Sequence, residues 1–212
     1  LIAGPTGSGK STTLYGALQR LNEPTRKIIT VEDPVEYRME GLTQMPVNAR
    51  IGLTFAAGLR VILRSDPDVV MVGEIRDPET AEISVRAALT GHLVLSSIHT
   101  NDAPGALNRL SDMGVPPYIT SSGLLGVVAQ RLVRRLCPKC KQPAKVDAAQ
   151  LVAEGYTTTE AKKVKLFEAV GCDHCSNSGY KGRVGVFEVM PMNEQPTRPF
   201  LDRAPVEDMR EI

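Results

Sequence analysis

Apolar positions fall into short continuous runs that alternate with amphipathic stretches up to about residue 130. Leu1–Ala3 reads as the end of a strand, and Ser11–Leu21 as a helix stopped by Asn22-Glu23-Pro24. Lys27–Glu32 is short and β-branched, hence a strand. Phe55–Arg64 reads as a helix. Asp68–Val72 is a continuous apolar run bounded by Asp-Pro and Gly, the pattern of a strand buried on both faces. Glu79–Leu89 follows Pro78 as a helix, His92–Ile98 is a second buried strand, and Ala103–Met113 is a helix ended by Gly114. Pro116–Gln130 is expected to be helical too. Such alternation predicts an α/β fold, a mostly parallel sheet with helices on both faces.

Beyond residue 130 the character changes. Residues 131–145 hold six basic side chains and no acidic one, around the first two cysteines. Residues 148–170 read as mixed and helical, 172–181 as turn-rich, and Arg183–Met190 as a strand. Pro191, Pro196, Pro199 and Pro205 keep any helix in the tail short. The expected organisation is a core over 1–130, a tetracysteine subdomain over 131–190 and a short C-terminal segment over 191–212. Leu1-Ile2-Ala3 is too short for the full strand that the following loop requires, so the chain is expected to continue upstream.

Composition narrows the classes. The 212 residues carry 25 Lys+Arg and 24 Asp+Glu, a formal charge of +1, which disfavours general polyanion binding. With 42% apolar and 23% charged residues the chain has the material for a core. Five Tyr, four Phe and no Trp argue against an aromatic platform for bases or sugars.

Gly4-Pro5-Thr6-Gly7-Ser8-Gly9-Lys10-Ser11 matches the phosphate-loop pattern at every position and sits between a strand and a helix, with Thr12 following as a further candidate nucleotide contact. The glycines let successive N–H groups face a concave centre, where they and the helix N-terminus bind phosphate oxygens. Lys10 is expected to reach the β- and γ-phosphates and Ser11 to hold Mg²⁺. A glycine turn with a chance lysine is the competing reading, and the strand–helix context disfavours it.

Phosphoryl transfer also needs acidic groups. Glu32 and Glu74 each lie at the carboxyl end of a buried strand, where ligands of open α/β sheets bind. Gly73 takes the usual strand-end Asp position, so Glu74 reads as a shifted metal-side carboxylate. Asp33 and Glu36 are further candidates, with solvated turn carboxylates as the alternative. His99, at a strand's carboxyl end, suits a γ-phosphate sensor; His92, seven residues earlier, lies at the other end. Arg60 and Arg64 share a helix face and read either as a solvated pair or as phosphate neutralisers.

Cys137-Pro138-Lys139-Cys140 and Cys172-Asp173-His174-Cys175 are two C-x-x-C pairs separated by 31 residues. Two such turns complete a closed S₄ site, so structural Zn²⁺ is expected, with His174 a spectator. Disulfides are the competing reading, and a nucleotide loop belongs in a reducing compartment.

Together these stretches resemble the secretion and pilus-assembly ATPases of bacterial type II secretion and type IV pili. The matching segments are GPTGSGKSTTLY at 4–15, ITVEDPVEY at 29–37, LRVILRSDPDVVMVGEIRD at 59–77, LTGHLVLSSIHTNDAPGALNRL at 89–110 and the tetracysteine segment at 137–175. The resemblance implies a RecA-like core that hydrolyses ATP. Glu32 is then the water-activating base, Glu74 the Mg²⁺-side carboxylate, and His92 with His99 a pair coupling the γ-phosphate to a subunit interface. Arg60 and Arg64 are then phosphate contacts. It further implies a homohexamer, an N-terminal domain outside this chain, platform partners at the cytoplasmic face of the inner membrane, and assembly rather than retraction, because retraction motors lack the cysteines. Two alternatives are a nucleic-acid-translocating ATPase using the basic stretch 131–145, and a non-hydrolysing nucleotide-gated scaffold. The missing aromatics speak against nucleic acid.

Overall fold

The computed structural model describes residues 1–202, 204 and 209. Its elements are β1 (Ile2–Ala3), α1 (Lys10–Leu21), β2 (Ile28–Glu32), β3 (Leu42–Pro46), α2 (Phe55–Leu63), β4 (Val69–Val72), α3 (Pro78–Leu89), β5 (Leu93–Ile98), α4 (Ala103–Asp112), α5 (Pro117–Gly123), β6 (Gly126–Leu136), β7 (Gln142–Pro143), α6 (Ala148–Ala153), α7 (Thr158–Lys163), β8 (Phe167–Glu168), β9 (Tyr180–Pro191) and α8 (Glu194–Leu201). Contacts group Leu1–Arg131 with Val186–Ile212 as one unit and Leu132–Gly185 as a second. The chain from Val186 onward thus returns to the first unit, whereas the sequence pattern set 191–212 apart.

The large sheet has the order β3-β2-β4-β5-β1-β6-β9. Its five pairs from β3 to β6 are all parallel, the arrangement expected from strand–helix alternation. Alternation along the strands explains the two covered faces, since neighbouring side chains point to opposite sides. Ile28, Val69 and Met71 pack on Leu14, Tyr15 and Leu18 of α1. Ile29, Val31, Val70 and Val72 pack on Phe55, Leu59 and Ile62 of α2. Thr30 and Glu32 therefore share the α1 face with Ile28. Helix starts follow their caps: Thr54, Asp77 and Asp102 accept from Ala57, Thr80 and Gly105 N–H, with Pro78 and Pro104 in the first turns of α3 and α4.

One sequence expectation in the first unit is corrected, and one strand there was not expected. Residues 116–130 are not one helix, because α5 stops at Gly123 and Gly126 opens β6. β1 lies inside the sheet and needs a second partner, which Val128 and Ala129 supply opposite Ile2 and Ala3. The strand β3 carried no apolar alternation to announce it. It pairs along all of β2, Leu42 opposite Ile28 through Pro46 opposite Glu32, at the sheet's edge.

In the second unit, residues 148–170 form two six-residue helices and the short β8 rather than one helical stretch. Gly155, at φ 96°, ends the first, and a Thr157–Glu160 capping box starts the second. β7 and β8 pair antiparallel. The buried apolar side chains described here are only Cys137, Leu151, Ala161 and Cys175.

Candidate functional site

The phosphate loop leaves the carboxyl end of β1 and enters α1. Gly4, Gly7 and Gly9 have φ of 149°, 77° and 91°. A Cβ on Gly4 would stand 2.5 Å from Ser8 Oγ and 2.6 Å from the Gln130 carbonyl oxygen, so only glycine fits there. Lys10 is 9% exposed, and its Nζ donates to the carbonyls of Gly4 at 2.9 Å and Pro5 at 3.0 Å. The ammonium is thus curled into the loop it serves. Burial lowers its pKa, and the Glu74 charge partly restores it. Ser11 Oγ donates to Glu36 Oε1 at 3.0 Å, which brings that candidate acid to the expected Mg²⁺ ligand.

Glu32 is 3% exposed and held by three donors. Tyr15 Oη donates to its Oε2, Thr30 Oγ1 to its Oε1, and Gln44 Nε2 to Oε1 at 3.1 Å. The Tyr15 oxygen in turn accepts the N–H groups of Glu36 at 3.2 Å and Tyr37 at 3.3 Å. Burial, with the bond to Glu32, raises the Tyr15 phenol to about 12. With three bonds on about four lone-pair sites, Oε2 of Glu32 keeps one acceptor direction free.

Glu74 gathers the second cluster. Arg76 Nη2 pairs with its Oε1, and His99 Nε2 lies 3.4 Å from its Oε2. The Arg76 guanidinium is raised above its ordinary value by that bond to Glu74. Glu74 Oε2 is buried and accepts no hydrogen bond. A buried carboxylate oxygen without a donor is costly unless a cation or a water completes it.

Lys10, Glu32, Glu74 and His99 all follow from carboxyl ends of neighbouring parallel strands. His92 does not join them. It precedes β5, and seven steps of about 3.3 Å along the strand separate it from His99 by about 23 Å. Its Nδ1 lies 3.1 Å from the Ala87 carbonyl oxygen and 3.2 Å from Thr90 Oγ1. Arg60 pairs with Glu79 of α3 at 2.6 Å, and Arg64 caps the C-terminus of α2. Tyr15, Thr30, Gln44, Arg76 and Gln130 were not singled out by sequence. Thr30 was legible two residues before Glu32 on one strand face; the others needed the fold.

In the second unit the four cysteines converge, all sulfurs lying within 4.8 Å of one another and none in a disulfide. Three separations are 4.0 Å for Cys137–Cys172, 3.8 Å for Cys140–Cys175 and 3.8 Å for Cys172–Cys175. A tetrahedral metal at about 2.3 Å from each sulfur requires about 3.8 Å between sulfurs, so the set can hold a metal. The N–H groups of Cys172 and Gly179 point at Cys175 Sγ at 3.3 and 3.2 Å. Burial alone would raise the Cys175 thiol, but these donors and the neighbouring thiols hold it down at about 6, while burial pushes the Cys140 thiol up to about 11.

The family described as Type II/IV secretion system protein matches residues 1–211. The chain is 59% identical over 194 residues to Type II secretion system protein E of Pectobacterium carotovorum subsp. carotovorum, covering 92% of this chain and 38% of that protein. It is 54% identical over 192 residues to the type IV pilus assembly ATPase PilB of Myxococcus xanthus, covering 90% of this chain and 34% of that one. Among solved structures, the pilus retraction motor PilT with bound ADP superposes with a TM-score of 0.69 at 30% identity, over 95% of this chain and 49% of that one.

Proposed function

The chain belongs to the type II/IV secretion system protein family, and from that premise we propose that it is the ATP-hydrolysing part of a motor that assembles a pseudopilus or type IV pilus. It spans 38% of the length of its type II secretion relative, so the motor is a property of the longer protein. One observation supports this reading most directly. A buried lysine sits inside a loop of positive-φ glycines, with a buried, unsatisfied carboxylate oxygen of Glu74 acting on its charge.

An incoming triphosphate replaces the Gly4 and Pro5 carbonyls as the acceptor for Lys10. Ser11, released from Glu36, and Glu74 Oε2 are the groups that would hold Mg²⁺, which would supply charge neutralisation at the phosphates. Water attacks the γ-phosphorus, the bond to the β–γ bridging oxygen breaks, and Glu32 Oε2 takes the water's proton. His99, within reach of Glu74, senses the γ-phosphate. Arg60 and Arg64 contribute to phosphate contact only if their present partners are exchanged, as a neighbouring subunit would allow. Cys137, Cys140, Cys172 and Cys175 hold a structural Zn²⁺.

The active assembly on this reading is a homohexamer working with platform proteins at the cytoplasmic face of the inner membrane. Among the described residues no helix is long and apolar enough to cross a membrane. The test is steady-state ATPase and oligomeric mass of residues 1–212 beside a chain extended to its relatives' length. A silent short chain and an active hexameric long one support a site completed between domains and subunits. Equal turnover by a monomeric short chain overturns it.

A further inference from the structure

Gln130 lies on β6, in the stretch expected to be helical, and no functional role has been attached to it so far. It is 3% exposed. Its side chain bridges the two ends of the phosphate loop's exit. Nε2 donates to the Ser8 carbonyl at 2.8 Å, and Oε1 accepts from Thr13 Oγ1 at 2.8 Å. Its own carbonyl oxygen lies against Gly4, where a Cβ would come within 2.6 Å. One residue of a neighbouring strand therefore touches the loop at its start and near its end, and also the first turn of α1.

The amide suits this place for a reason of geometry. A peptide unit is planar and trans, so the Ser8 carbonyl and the Gly9 N–H point in opposite directions. Tying the carbonyl to Gln130 turns the Gly9 N–H away from β6. A lone peptide at positive φ, as at Gly9, has a low barrier to flipping that plane, and a flipped plane would present an oxygen where a phosphate needs a donor. The Gln130 amide supplies a donor for Ser8 and an acceptor for Thr13, and only an amide side chain of this length does both. Because it is buried, replacing it leaves two polar groups without partners. The next residue, Arg131, points to the other face and donates to the Asn101 carbonyl at 2.9 Å, in the loop that follows His99. Residues 130 and 131, midway along β6, thus touch both margins of the site.

We infer that Gln130 is a positioning residue for nucleotide binding: it locks the Ser8–Gly9 peptide with its N–H toward the bound phosphate and ties that lock to α1 through Thr13. The inference deepens the proposed ATP site and rests on it. It concerns binding of the phosphates, so its signature is a change in nucleotide affinity and KM larger than the change in kcat.

The experiment is equilibrium titration of a fluorescent ADP and of ATP with Mg²⁺ on the full-length protein, with thermal unfolding measured in parallel. Gln130→Met keeps the volume and removes both bonds; Gln130→Glu keeps the acceptor for Thr13 and loses the donor for Ser8. Both are expected to weaken nucleotide binding about tenfold or more, with Glu the worse because it adds a negative charge beside the phosphates. Thr13→Val should weaken binding less, and added to Gln130→Met should cost little more, since the two share one bond. A lower melting temperature with unchanged nucleotide affinity would mean that Gln130 is only structural, and would overturn the inference. Fully additive effects of Thr13→Val and Gln130→Met would overturn the link through Thr13. Lys10→Ala is the control: if it leaves binding intact, the ATP site itself fails, whereas loss there with normal binding in Gln130→Met rejects the positioning role alone.

Discussion

The two units reach their ordered sites by opposite routes. The proposed nucleotide site is assembled from residues far apart in sequence, held by a parallel sheet whose strands β2 and β4 are buried on both faces. The cysteine module has four buried apolar side chains described, two of them the cysteines themselves. Its ligands come from two short turns, and little hydrophobic core is available to keep them there. A metal can replace a core in such a unit because its binding free energy is also folding free energy. On the proposed reading the sheet supports a site that binds and releases a ligand, and the module depends on a metal that stays.

The largest effect is expected from stripping the proposed metal from the four cysteines. Chelation, or Cys137→Ser, is expected to unfold residues 132–185, with an apparent loss on the order of 10 kcal/mol for a structural site. Hydrogen exchange should then show deprotection confined to that stretch while nucleotide binding survives. Deprotection spreading into β1, β2 and β4 would erase the distinction between the units. Next in size is Lys10→Ala, which should lower ATP turnover on the order of 10²-fold or more and abolish tight nucleotide binding.

Glu32→Gln and Glu74→Gln should preserve ATP binding and slow hydrolysis, by about 10²- to 10⁴-fold for a general base. Pre-steady-state turnover with bound ATP checks this, and full-speed hydrolysis in Glu74→Gln would remove it from the chemistry. Tyr15→Phe is a smaller perturbation, about tenfold in kcat, because Glu32 keeps two donors. It also carries a pH signature. The folded phenol is raised from 10.0 to about 12, so its stabilising contribution is complete below pH 10 and lost as pH rises toward 12. Stability measured across that window should fall less steeply in Tyr15→Phe. The smallest effect is expected for His92→Ala: nucleotide affinity within about twofold, as for an ordinary surface change. His99→Ala should move it more, since His99 sits beside Glu74 and His92 does not.

Local chemistry was readable from the chain. The phosphate loop needs eight consecutive residues, and each C-x-x-C turn needs four, so their identities survive without knowledge of the fold. β4 was readable because burial on both faces writes itself as an unbroken apolar run, and β2 because it is short and β-branched. Glu32 and Glu74 could be nominated because a strand's carboxyl end is a position in sequence as well as in space. What lay outside reach was any relation set by a neighbour far along the chain. β6 gives no sign that β1 needs it, β3 pairs along the whole of β2 with only Leu42 and Met45 packed on the core, and the partners of Glu32 come from a helix, its own strand and the sheet edge. Gln130 stood inside a stretch read as helix, where its amide had no meaning. Residue types and their spacing thus settled which groups carry chemistry. The sheet order decided which of them meet, because hydrogen-bonded registers join residues more than a hundred positions apart, and no local pattern encodes such pairings.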